Sequence, residues 1–135
     1  MSKDVAKVLK DDGVARVELK RYENPFCINL ETIRQDMGDG SWAVRIVYNK
    51  DFGGVLIQQM PGEGNRLHYH PDADECWIIM DGKLEWVIGN LPPTKVQKND
   101  IIVVKAGTHH LIRNVGNTPG LRFAFTKPDV EHIHV

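Results

Sequence analysis

Apolar residues change their period part way along the chain. In residues 1–40 they recur at helical spacing in two short stretches, one carrying Val5, Val8 and Leu9, the other carrying Leu30, Ile33 and Met37 ahead of Gly38. From Ser41 the period becomes two, and runs rich in Val, Ile, Trp and Phe alternate with Gly, Pro, Asn and Asp. This pattern predicts nine strands: Trp42 to Tyr48, Gly54 to Met60, Arg66 to His70, Glu75 to Met80, Lys83 to Ile88, Lys95 to Gln97, Ile101 to Val104, His110 to Asn114 and Leu121 to Thr126. Asp81-Gly82 between two apolar runs predicts a hairpin, because both residues tolerate positive φ. Leu91-Pro92-Pro93 predicts a loop, since proline cannot donate to a sheet interior. The expected fold is all-β, a sandwich or barrel over 41–135, with 1–40 a helical or irregular extension that packs on the barrel or joins a dimer interface.

Composition narrows the class of partner. A chain of 135 residues and 15.3 kDa fits one domain with a core of its own. Its 17 basic and 18 acidic side chains leave a net charge of -1, which offers nothing to attract nucleic acid or an anionic membrane. A small neutral or anionic metabolite fits better. Cys27 and Cys76 are far apart and form no C-x-x-C pair, which argues against a disulfide scaffold or a cysteine zinc site. The charged start has no signal-peptide or membrane-spanning character, and a cytoplasmic protein is expected. Neither a nucleotide-binding glycine motif nor a nucleophile elbow is present.

Candidate chemistry lies in the histidines. In His68-Tyr69-His70 the imidazoles sit at i and i+2, so a strand presents both on one face. Pro71-Asp72-Ala73-Asp74 reads as a turn, after which Glu75 opens the next strand and can return its carboxylate to the same interior. His110 follows Gly107-Thr108-His109 at the start of a later strand. Three neutral nitrogens and one carboxylate suit one divalent ion of Fe, Mn, Ni, Co, Cu or Zn rather than Ca or Mg.

The spacing carries a resemblance. Gly62, His68, His70, Glu75 and Gly82 occupy every defined position of the first motif of the cupin family. The second motif is met in part, by Asn99, Lys105, Gly107, His110 and Asn114, with Asn99 where glycine is usual and Lys105 where proline is usual. The resemblance covers about residues 54–126 and implies a double-stranded β-helix, or jelly-roll barrel, with His68, His70, Glu75 and His110 around an interior metal. It also implies a homodimer, for which the apolar N-terminal segments offer a contact. It implies no single reaction, since the family spans dioxygenases, isomerases, epimerases, decarboxylases, lyases and non-catalytic proteins.

Other positions are weighed by parity. Arg66 shares the parity of His68 and His70, so on a regular strand it would reach the cavity and clamp a carboxylate or phosphate, whereas at the strand start it would snorkel to solvent. Trp77 and Ile79 share the parity of Glu75, and Trp77 is a candidate pocket wall. Gln58 and Met60 share a face of the preceding strand, with Gln58 a weaker substrate contact. His109 and Lys105 are the nearest candidate bases, although His109 faces the other way from His110 on a strand. His132-x-His134 lacks a following carboxylate and reads as an edge-docked or mobile tail rather than a metal contact. Two functions follow: a metal-dependent enzyme acting on a small oxygen-rich, anionic metabolite, by Lewis-acid proton transfer or Fe(II) dioxygenase chemistry, or a non-catalytic metal- or ligand-binding module.

Overall fold

The structure is a computed structural model that describes residues 2–135. Its elements in chain order are α1 (Val5–Asp11), β1 (Arg16–Glu18), α2 (Leu30–Met37), β2 (Trp42–Tyr48), β3 (Gly53–Gln59), β4 (His68–Tyr69), β5 (Glu75–Asp81), β6 (Lys83–Ile88), β7 (Thr94–Gln97), β8 (Ile101–Val104), β9 (His110–Asn114), β10 (Gly120–Thr126) and β11 (Ile133–His134). Six strands form one sheet in the order β1-β2-β3-β10-β5-β8, and five form the other in the order β11-β4-β9-β6-β7. Among the described residues only the β1–β2 pair is parallel. This is the double-stranded β-helix expected from the motifs.

Two apolar layers explain the burial. Between the sheets, Ala43, Ile57, Trp77, Ile79 and Ala124 from one side meet Leu84, Trp86, Val96 and Ile112 from the other. On the outer face of the larger sheet, Trp42, Val44, Leu56 and Leu121 pack under Ile33 and Met37 of α2. Strands β2, β3 and β10 are thus buried on both faces, which removes the polar alternation a half-exposed strand would show.

Both helices form where expected, and each is closed by its sequence. Asn29 caps α2 by accepting from the Glu31 N–H at 2.8 Å, and Gly38 ends it at a φ of 73°. Asp4 caps α1 by accepting from the Lys7 N–H at 3.2 Å. Val8 and Leu9 of α1 are buried, with Leu9 in the core between the sheets, and Ile33 and Met37 of α2 pack on the larger sheet.

Three expectations are corrected. Asp81-Gly82 does not close a hairpin, because β5 pairs with β8 and β10 while β6 pairs with β7 and β9. Gly82, at φ 86°, instead carries the chain from one sheet to the other at a corner so tight that a Cβ would lie 2.8 Å from the Pro119 carbonyl oxygen. The strand expected over Arg66 to His70 shrinks to His68–Tyr69. Asn65 spends both its N–H and its side-chain oxygen on Ile112, so the chain reaches β9 through isolated contacts rather than a ladder. Finally, β1 and β11 were not expected, being three and two residues long and too short to show a period.

Candidate metal centre

Two loops and three strand ends assemble the cluster. His68 lies on β4 opposite His110, the first residue of β9, and Glu75 is the first residue of β5. His70 follows β4 directly, and its carbonyl accepts from the Gly107 N–H at 2.7 Å. Asp74 accepts from the Ala106 N–H at 2.8 Å, so the turn of the first motif and the loop of the second are tied together. One ligand-type atom from each of His68, His70, Glu75 and His110 lies within 4.8 Å of the others, and all four side chains are buried.

The main chain fixes the tautomer of each imidazole. Nδ1 of His68 donates to the Arg66 carbonyl at 2.8 Å, Nδ1 of His110 to the Thr108 carbonyl at 2.8 Å, and Nδ1 of His70 to the Glu131 carbonyl at 2.9 Å. A carbonyl can only accept, so each Nδ1 carries a proton and, in the neutral ring, each Nε2 keeps a lone pair. Nε2 of His70 and of His110 approach Glu75 Oε1 at 3.3 and 3.4 Å. The His110 approach is too poorly aligned for a hydrogen bond, which leaves Nε2 buried without a partner. Three such nitrogens and a carboxylate, one nitrogen orphaned, fit a borderline divalent cation of the first transition row.

Electrostatics follow from burial. Burial, reinforced by the neighbouring His110, pushes His68 down to about 3 and keeps it neutral. Burial acts on His70 the same way, but the hydrogen bond and charge of Glu75 outweigh it and raise His70. Burial would raise Glu75, yet the contacts with His110 and His70 hold it ionised, well below the usual carboxylate range. Trp77 Nε1 donates to Glu75 Oε1 at 2.8 Å and fixes the carboxylate further.

A cavity partly open to solvent adjoins His68 and Glu75. Its walls include Val8 and Leu9 of α1, Trp77, Arg122, Ala124 and His132. Trp77 therefore stands where parity placed it. Arg66 does not, since it precedes β4 and has no strand parity: its half-exposed side chain turns outward, with Nε 3.0 Å from Asp12 Oδ1. Gln58 lies on the opposite face of β3, where Nε2 donates to the Gly40 carbonyl at 3.0 Å beneath α2. His109 is exposed and stacks on Tyr69 at 4.8 Å, and exposed Lys105 holds its Nζ 3.6 Å from Asp74 Oδ2. Neither candidate base lines the cavity.

Two further residues line the site: His132, read from the sequence as part of an edge-docked or mobile tail, and Arg122, which the sequence did not single out. The tail docks rather than floats, because β11 pairs with β4 and sets His134 opposite His68. This brings the His132 ring to 4.5 Å from the His70 ring, and burial and the nearby His70 lower His132 to about 4. His132 nonetheless stands outside the four-residue cluster. Arg122 is 2% exposed, its guanidinium 4.9 Å from the centre of the Trp77 ring and its Nη1 donating to Gln59 Oε1 at 2.6 Å. Burial lowers it to about 10, leaving it charged at neutral pH.

Two sheets folded around a cluster of three histidines and one glutamate define a double-stranded β-helix protein with a candidate metal centre. The family described as "Cupin domain" matches residues 55–133, more than half of the chain. The chain belongs to that family. It is 30% identical over 83 residues to the tetracenomycin polyketide synthase protein TcmJ of Streptomyces glaucescens, covering 57% of this chain and 54% of that protein. The chain thus spans about half the length of the curated relative it matches. Among solved structures, an uncharacterized conserved protein with a double-stranded beta-helix domain from Klebsiella pneumoniae superimposes with a TM-score of 0.70 at 20% identity, over 82% of this chain and 91% of that one. A sugar phosphate isomerase of the cupin superfamily from Silicibacter pomeroyi superimposes with a TM-score of 0.54 at 25% identity, over 57% of this chain and 50% of that one.

Proposed function

We propose that the chain is a metal-dependent enzyme acting on a small oxygen-rich, anionic metabolite, by proton transfer of the isomerase, epimerase or lyase type or by Fe(II) dioxygenase chemistry. The observation that carries this reading is the convergence of His68, His70, Glu75 and His110, with His68 and Glu75 lining a cavity partly open to solvent. The likeness to a sugar phosphate isomerase adds support on the substrate side. These four residues would hold the ion, which when bound supplies Lewis acidity toward a substrate oxygen or, as iron, the means to activate dioxygen. Trp77 orients Glu75, Val8 and Leu9 keep bulk water from one wall, and Arg122 places a positive charge in the cavity.

A second reading, a non-catalytic metal- or ligand-binding module, is favoured by one observation: neither His109 nor Lys105 faces the cavity. Metal analysis with coordination spectroscopy of the native protein separates the two. More than four ligands, or iron accompanied by oxygen uptake, is the expected result, and a closed four-coordinate zinc would end the enzyme reading.

The proposal extends to a cytoplasmic homodimer. No helix among the described residues is long and apolar enough to cross a membrane. With the helices' apolar faces used internally, the exposed Ile78, Ile101, Val103 and Phe125 of β5, β8 and β10 are the better candidates for a contact between copies. Sedimentation of the purified chain checks this.

A further inference from the structure

Arg122 is the buried charge that the fold leaves least satisfied. Of the two arginines lining the cavity, Arg45 pairs with Glu23 at 3.3 Å and lies 3.6 Å over the Tyr48 ring. Arg122 forms no ion pair among the described residues. Its one hydrogen bond goes to the neutral Gln59, and its Nε is buried without a partner. Glu75 and Asp12 are the carboxylates that act on it, but Glu75 is held by Trp77 and the histidines, and Asp12 is held by Arg66. An unpaired buried guanidinium carries a desolvation cost that apolar residues of similar size would remove. It sits on β10 at the inward parity of Ala124, between the metal-side Trp77 and the open cavity.

We infer that Arg122 anchors the carboxylate of a small ligand in the cavity beside the metal centre. The surroundings favour a singly charged carboxylate over a phosphate. The residues that β10 and β3 place beside it, Val55, Ile57 and Ala124, are apolar, and of the cavity's other cations, Lys3, Arg45 and Lys127, the last two are paired with Glu23 and Asp72, while one guanidinium matches one carboxylate in charge and shape. The inference rests on the proposed enzyme for its setting, since the anchored carboxylate would hold the rest of the ligand toward Glu75 and the histidines. The substrate class becomes a small carboxylic acid bearing further oxygen atoms.

The test titrates acetate, lactate, glutarate and inorganic phosphate into the wild-type chain, Arg122→Met and Arg122→Lys by calorimetry, with and without metal, after metal content is measured. At least one carboxylate should bind, and Arg122→Met should weaken it by about tenfold or more, the scale of a charged hydrogen bond, with metal content and melting temperature unchanged or raised. Arg122→Lys, which keeps the charge but not the fork, should retain part of the binding. Affinity unchanged in Arg122→Met would overturn the inference. So would Arg122-dependent binding of phosphate alone, or a lower melting temperature in both variants, which would make the guanidinium structural. Arg122-dependent carboxylate binding in a chain that takes up no metal would uphold the inference while removing the metal reading.

Discussion

Glu75 is held from three sides, by His70, His110 and Trp77, and only the indole contact can be removed without touching a candidate ligand. Trp77→Phe keeps an aromatic ring in the core and deletes the 2.8 Å donor to Oε1. Metal affinity should fall by about 10- to 100-fold, the usual effect of losing such a partner, with the fold intact by circular dichroism. His68→Ala and His110→Ala should lower metal stoichiometry and melting temperature together, because ligation stabilises only the folded chain; metal content equal to the wild type would refute the assignment. The four ligand-type residues were legible because motif spacing is a local property that survives any arrangement of the sheets. Arg122 was not. In Leu121-Arg122-Phe123-Ala124 both faces are buried, since α2 covers the side of Leu121 and the barrel interior that of Arg122, so alternation could not say which face was inside. The same double burial hid the outward orientation of Gln58.

At the scale of elements, local rules placed the helices and most strands, while the pairing between strands needed tertiary information. The Asp81-Gly82 turn shows the limit: positive φ signals a sharp reversal, and a reversal within one sheet or across two sheets uses the same residues. Gly82→Ala should cost more than about 1 kcal/mol, as it adds left-handed strain and a clash with the Pro119–Gly120 backbone; chemical denaturation reads it. Asn99, at the glycine position of the second motif, is the converse case. It adopts φ 80°, a conformation asparagine tolerates, so the turn survives the departure. In α2, Asn29→Ala removes the cap and should cost about 1 kcal/mol with metal content unchanged. Leu9→Ala, in the helix that walls the cavity, should cost about 2 to 5 kcal/mol.

Considered whole, the molecule couples its stability to the candidate centre, because the residues around that centre join both sheets and the C-terminal strand. Chelation of a bound metal should therefore lower the melting temperature. Amide exchange should rise in the 71–74 and 105–109 loops together, since Asp74 and the His70 carbonyl tie one to the other. Exchange confined to one loop would argue against that coupling. The barrel and its motifs were readable from one sequence, but the tail was legible only as edge-docked or mobile, as two residues of β11 carry no period and acquire their place only from β4.

Every imidazole in the cluster has its Nδ1 steered by a peptide carbonyl rather than by an acidic side chain. Point mutation cannot delete a carbonyl, so the orientation of these rings is inherited with the path of the backbone. Sequence drift can then reshape the walls and exchange one ligand-facing chemistry for another while the nitrogen geometry stays constant. For a laboratory seeking new reactions, the histidines are a fixed socket, and the cavity residues are the interchangeable part.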